Sequence, residues 1–222
     1  MNSDLELNRT KDTERRLPCS KCDGETIHRV LVSTNTSETN RYTEETYIGD
    51  YEIVQCQGCK TISFRKCLWI PGNVDINDLG EYEGIEDEEL YPGRIVGRRK
   101  LANSQDLPLK IIIIYGETYM ALCNKLPVLT GIGIRTLVEA VCSDKNITGT
   151  NLKSKIDSLV SVGLLTKDGA EILHSLRIMG NYAAHEVKPH TEEELNIALD
   201  IVEHLLEGVY LLPNKATKLP KR

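Results

Sequence analysis

Aromatic residues are scarce in this chain: one tryptophan, one phenylalanine and nine tyrosines among 222 residues. Long apolar runs are missing too. The longest is Ile111–Ile114 with its immediate neighbours, far short of the roughly 20 residues that a membrane-spanning helix needs. The N-terminal stretch MNSDLELNRTKDTERRLP is polar throughout and lacks the apolar core of a signal peptide. Together these absences predict a cytoplasmic protein that does not contact membrane. Positive charge is not in excess either. A formal net charge of −6 excludes a broad nucleic-acid-coating surface, although a local basic patch remains compatible with it. The chain has no glycine-rich phosphate loop, no nucleophile elbow, no paired-histidine zincin helix and no internal repeat.

Cysteine is present in an odd number, seven, and four of these fall in two Cys-x-x-Cys pairs, Cys19 with Cys22 and Cys56 with Cys59. In a reducing compartment this spacing favours metal chemistry over a disulfide framework. Two thiolates set two residues apart grip one edge of a tetrahedral ion, and a second pair closes the site. A closed four-thiolate site is the pattern of structural zinc. Such binding is worth roughly 10–16 kcal/mol, enough to fold about 50 residues around a thin core. A redox pair needs only one Cys-x-x-Cys, beside a βαβ pattern that is missing here. His28 is a weaker candidate ligand. Cys67, Cys123 and Cys142 read as small buried hydrophobes.

The patterning predicts a mainly α protein: a small β zinc ribbon followed by an all-α helical bundle. Residues 1–17 read as a disordered tail. Residues 18–72 read as the ribbon, with strands over 28–33, 51–55 and 61–70, which are rich in valine, isoleucine, threonine and aromatics. The polar stretch TNTSETNRYTEET reads as a long hairpin loop. Residues 73–106 read as an acidic linker followed by a basic stretch, Arg94, Arg98, Arg99 and Lys100. From residue 107 to 213 the period is helical, with helices over 109–123, 128–142, 151–162 and 167–185. A fifth helix starts at Thr191, where Thr191-x-x-Glu194 has the form of a capping box. Residues 214–222 form a basic tail.

The fourth helical segment carries two stripes. At about 100° per residue, Ile172, Leu176, Met179 and Ala183 fall together as a core stripe, and His174, Arg177, Asn181 and His185 fall opposite them. Gly180 and Ala184 lie between the stripes, where a second helix can approach closely. The polar stripe is either a solvated face or a face on which a second subunit packs.

The segments GIRTLVEAVC, LKSKIDSLVSVGLLT and LHSLRIMGNYAAHE resemble the domain of unknown function 4145, over about residues 107–212. That family is similar to the HEPN superfamily of dimerising helical bundles, many of which cut RNA without a metal. The resemblance implies a HEPN-like helical domain, a homodimer and an N-terminal zinc ribbon for targeting. It also implies an endoribonuclease site made by Arg177, Asn181 and His185, in a setting of microbial defence. In active members an arginine directly precedes the polar residue, with a histidine four positions beyond. Asn181 and His185 match that pattern, whereas Gly180 stands at the arginine position and Arg177 lies one turn earlier. In that chemistry His185 is the general base, Arg177 binds the phosphate and Asn181 orients the reacting groups. The competing expectation is a non-catalytic dimerising module that recruits a protein or nucleic-acid partner. A DNA-binding regulator using the basic stretch ranks third.

Overall fold

The computed structural model describes residues 2–22, 24–76, 82–95, 98–181 and 190–217. The chain divides into two units, Met1–Arg99 and Lys100–Arg222. The first holds an antiparallel sheet of six strands: β1 (Asn2–Leu7), β2 (Glu14–Pro18), β3 (Glu25–Thr39), β4 (Thr46–Cys56), β5 (Ile62–Ile76) and β6 (Tyr82–Tyr91). β1 and β2 share one edge, pairing with the far and near halves of β3, and β4, β5 and β6 follow in sequence order.

This sheet overturns the expectation of a mainly α chain with a small ribbon. Residues expected as a tail form β1 and β2, and part of the expected acidic linker forms β6. The expected hairpin loop is mostly strand. β3 and β4 stay paired as far as Thr39 and Thr46, and the turn is closed by the Asn40 amide donating to Glu45 O at 2.9 Å. Two physical reasons account for the difference. Threonine is β-branched and suits a pleated surface, even where the composition looks polar. The acidic run of β6 faces cations supplied by β5, with Lys66 Nζ 3.3 Å from Glu89 Oε1 and Arg65 bonded to Glu88.

One face of the sheet is buried. At the end near the cysteines its core is apolar: Leu17, Val30 and Val54, with Leu90 against them. Farther along, most of the buried residues are polar, namely Ser33, Asn35, Asp50, Glu52 and Arg65, with Cys67 among them. The loop between β1 and β2 folds onto this part. Arg9 Nη2 donates to Asp50 Oδ1 at 2.9 Å, and the Thr10 amide donates to Ser33 Oγ at 3.3 Å. Asn35 Nδ2 donates to the same Asp50 oxygen at 2.7 Å. Val32, Ile53, Phe64 and Tyr91 form one cross-strand row elsewhere on the sheet, running from β3 to β6.

The second unit is helical, with α1 (Leu109–Cys123), α2 (Pro127–Asp144), α3 (Leu152–Ser161), α4 (Lys167–Asn181) and α5 (Glu192–Leu206). α5 continues through a π-helical turn, Glu207–Leu211, into α6 (Leu212–Ala216). No helix among the described residues is long and apolar enough to cross a membrane. α2 is the central helix and packs against α1, α3, α4 and α5. It buries Ile134, Leu137, Val138 and Val141, while α3 buries Ile156 and Leu159, and α5 buries Leu199 and Val202. The expected capping box at the start of α5 is present, with Thr191 Oγ1 accepting from the Glu194 amide at 3.2 Å and Glu194 accepting from the Thr191 amide at 3.0 Å.

α1 and α2 approach closely at Gly133. A Cβ placed there would sit 2.3 Å from Thr118 Oγ1 and 3.0 Å from Thr118 Cβ, so rotating the threonine side chain cannot relieve the contact. Gly133→Ala gains helix propensity, worth about 0.5–1 kcal/mol. Overpacking typically costs about 1–3 kcal/mol and sets the sign. A lower melting temperature, followed by helical circular dichroism, is therefore expected; a higher one would show that the two helices can separate freely.

Candidate metal centre

Two knuckles bring the four paired cysteines together. In the first, the Cys19 amide donates to Gly24 O at 3.2 Å; in the second, the Cys56 amide donates to Thr61 O at 2.9 Å. Each loop thus closes on a carbonyl five residues beyond its first cysteine. The reversal needs left-handed backbone, supplied by Gly24 (φ +72°) in one knuckle and by Lys60 (φ 62°) in the other. The β3–β4 ladder then sets the knuckles side by side, because Cys56 ends β4 and pairs with His28 near the start of β3.

The four sulfurs lie within 4.8 Å of one another. The close pairs run between knuckles, Cys19 to Cys59 at 3.5 Å and Cys22 to Cys56 at 3.8 Å. A tetrahedral zinc site with Zn–S bonds near 2.3 Å has sulfur–sulfur edges of about 3.8 Å. A disulfide needs about 2.05 Å, and all seven cysteines are free. The spacing therefore fits a tetrahedral ion and does not fit a bond within either pair. Cys19 and Cys56 are buried, whereas Cys22 is half-buried and Cys59 exposed.

Donors around the cluster stabilise thiolate. The Lys21 amide lies 3.4 Å from Cys19 Sγ and Thr26 Oγ1 lies 3.3 Å from Cys56 Sγ, while Cys59 Sγ lies 3.2 Å from Thr61 Oγ1. The hydroxyl and amide of Thr61 hold the Cys59 pKa down to about 6. Burial works against ionisation of Cys56, but the Thr26 hydroxyl and the amides of Cys59 and Gly58 outweigh it and lower that pKa as well. Cys22 moves the other way, pushed up to about 12 by its Cys59 neighbour, by burial and by Cys56 and Cys19. Several thiolates this close repel one another and cannot all ionise without a cation. A divalent ion would displace the remaining protons.

Two further side chains border the cluster. His28 is 1% exposed; its Nδ1 lies 3.0 Å from Thr26 O, and its buried Nε2 has no hydrogen-bond partner among the described residues. The four-sulfur set is complete without it. Arg94, the first residue of the expected basic stretch, turns inward and donates from Nη1 to Pro18 O at 3.1 Å. Composition marks it only as part of a surface patch, and nothing in the local pattern distinguishes it from Arg98 or Arg99. Of the remaining cysteines, Cys67, Cys123 and Cys142 are buried, as expected for small hydrophobes.

The expected catalytic residues stand differently. Arg177 and Asn181 are four residues apart on α4, one turn of helix, and their side chains lie outside what the structure describes. His185 lies outside the described residues, as does Ala183 of the expected core stripe. At the start of α4 the buried residues are Ala170 and Leu173, whereas Ile172 is 43% exposed. The core-facing side of this part of α4 is thus turned from the expected one. His174, expected on a polar stripe, bonds Asp157 Oδ1 of α3 at 2.9 Å.

Residues 116–222 match the model of a family described as Domain of unknown function (DUF4145). No curated protein and no solved structure matches the chain.

Proposed function

We propose that Cys19, Cys22, Cys56 and Cys59 hold one structural zinc ion, and that the helical unit is a metal-independent RNA endonuclease of HEPN type acting as a homodimer. The observation that carries the metal reading is the cluster itself, four sulfurs within 4.8 Å with no open position for a substrate. The ion does no chemistry in this scheme. It fixes the end of the sheet, and the sheet unit serves to recruit or position the substrate.

The nuclease reading rests on the resemblance of the family matched over residues 116–222 to the HEPN superfamily, and on the one-turn spacing of Arg177 and Asn181 on α4. In it, His185 removes the proton from a ribose 2′-hydroxyl. The 2′-oxygen attacks the adjacent phosphorus, the 5′-oxygen leaves and takes up a proton from solvent, and the products are a 2′,3′-cyclic phosphate and a 5′-hydroxyl. Arg177 places its planar fork of donors on the phosphate oxygens as their charge grows, and Asn181 orients His185 or the phosphate. DNA lacks the 2′-hydroxyl and is not cut.

The test is cleavage of mixed cellular RNA by the zinc-loaded protein in buffer depleted of free divalent ions, beside His185→Ala. Cyclic phosphate ends from the wild type, absent with the variant, are the expected result. A well-folded dimer that cuts nothing would move the assignment to a non-catalytic module that recruits a protein or nucleic-acid partner. A DNA-binding face on the basic stretch is disfavoured by Arg94, which is half-buried and bonded to Pro18 O and Pro92 O.

A further inference from the structure

Arg94 follows β6 and sits beside the cysteine cluster. Its Nη1 donates to Pro18 O at 3.1 Å, the carbonyl immediately before Cys19, and its Nε donates to Pro92 O at 3.3 Å. Its Nη2 is buried and has no hydrogen-bond partner among the described residues. Burial lowers its pKa, while the nearby sulfurs of Cys19 and Cys56 act in the opposite direction. An arginine stays protonated in proteins, so this is a cation with one buried donor unused, held on the carbonyl that precedes Cys19. A charge drawn out of water in this way is retained where an opposite charge meets it.

A divalent ion with four thiolates carries a formal charge of about −2 and needs compensation in a half-buried site. Among the described groups bordering the cluster, the guanidinium of Arg94 is a cation held there by its own hydrogen bonds. Arg94 also belongs to the stretch that leads out of the sheet unit, which ends at Arg99.

We propose that Arg94 is the charge-compensating partner of the metal–thiolate centre, and that metal occupancy in turn fastens the backbone at Arg94 to the first knuckle. The inference rests on the zinc reading above. With the ion bound, the sulfurs hold a fixed negative charge, and Arg94 is clamped between them and Pro18 O. With the ion removed, the cluster loses that fixed charge and the clamp weakens. The centre therefore reports its own occupancy to the connecting stretch, with Arg94 as a positioning residue that touches no substrate.

The experiment uses the full chain in reducing buffer and has two readouts. The first is zinc affinity by competition with a chromophoric chelator, for wild type, Arg94→Gln and Arg94→Lys. Loss of a partner that supports metal ligands typically weakens binding about 10- to 100-fold. Arg94→Gln is expected to show that loss and Arg94→Lys to recover most of it, because lysine restores the charge. Equal affinity for wild type and Arg94→Gln would overturn the proposal. The second readout needs no variant. In the zinc-loaded wild type, trypsin should cut after Arg94 roughly tenfold more slowly than after the exposed Arg99, because the clamp resists local opening, and chelation should abolish that difference. Mass spectrometry identifies the cut by its new N-terminus at Ile95. Equal rates would overturn the proposal as well. Failure of the underlying reading looks different, since wild-type protein that retains no zinc at all would remove the metal site rather than the role of Arg94.

Discussion

Cys56→Ser is expected to give a protein that retains no zinc and whose sheet unit is unfolded while its helices persist. Cys56 is fully buried and is the last residue of β4, so it ties the second knuckle to the centre of the sheet. A serine hydroxyl is a poor zinc ligand beside a thiolate, and its shorter bond leaves the tetrahedron open at one corner. Structural zinc contributes roughly 10–16 kcal/mol of binding energy that doubles as folding energy. The apolar cluster at that end of the sheet is only Leu17, Val30 and Val54 with Leu90, too small to compensate.

The chain's single tryptophan makes the outcome readable. Trp69 lies in β5, so its fluorescence follows the sheet unit alone, whereas helical circular dichroism follows mainly the second unit. The expected signature is unfolded-like Trp69 emission with most of the helical signal retained, reproduced in the wild type by chelation. Cys142→Ala is the control. That cysteine is buried in α2, far from the cluster in sequence, and its variant should keep one zinc per chain. A Cys56→Ser protein with native Trp69 emission and wild-type melting would refute a structural metal.

How much of this was legible in the sequence depends on what each feature demands of its residues. Two Cys-x-x-Cys pairs stand at metal-ligand spacing, so the four cysteines that the fold gathers, Cys19, Cys22, Cys56 and Cys59, can be named without it. The helices of the second unit are legible for a similar reason. Leu195, Leu199, Val202 and Leu206 are all buried, as their spacing requires. The sheet is hidden because pattern reading looks for alternating apolar residues, and much of its buried face is polar. Asn35 and Asp50 are buried yet look like loop residues in one dimension. Their partners are distant in the chain: Asp50 is 41 residues from Arg9. At α4 the apolar positions Ile172 and Leu173 are adjacent, and periodicity alone favours the wrong one.

The polar face leads to the second large expected effect, loss of Glu52. Glu52 is wholly buried and shared by two guanidinium groups, with Arg15 Nη2 at 2.9 Å from one oxygen and Arg65 Nη1 at 3.0 Å from the other. Arg65, 6% exposed, continues the ladder to Glu88. Breaking a buried ion pair by removing one partner costs about 3–5 kcal/mol, because the remaining charge is left uncompensated. Glu52→Gln should therefore strongly destabilise the sheet unit, seen as an earlier Trp69 transition in urea. The low end of that range is expected, since Arg65 keeps Glu88. Replacing the two most buried members together, as in Glu52→Leu with Arg65→Met, leaves only the more exposed Arg15 and Glu88 without these partners and should be less harmful than Glu52→Gln alone. A double variant worse than the single one would mean that the ladder contributes more than its charges.

The same carboxylate fixes the acid limit of the fold. Burial raises its pKa, but hydrogen bonds from Arg15 and Thr10 and the charges of Arg15 and Arg65 outweigh burial, so the folded value lies below the ordinary 4.5. A carboxyl whose pKa falls on folding stabilises the protein above its unfolded pKa, and that contribution disappears as the pH drops through the folded value. The difference in stability between wild type and Glu52→Gln should accordingly stay constant from about pH 8 to 5 and shrink below about 4.5. If the difference instead persisted undiminished well below that pH, the ladder would be held by packing of the side chains, with charge pairing secondary.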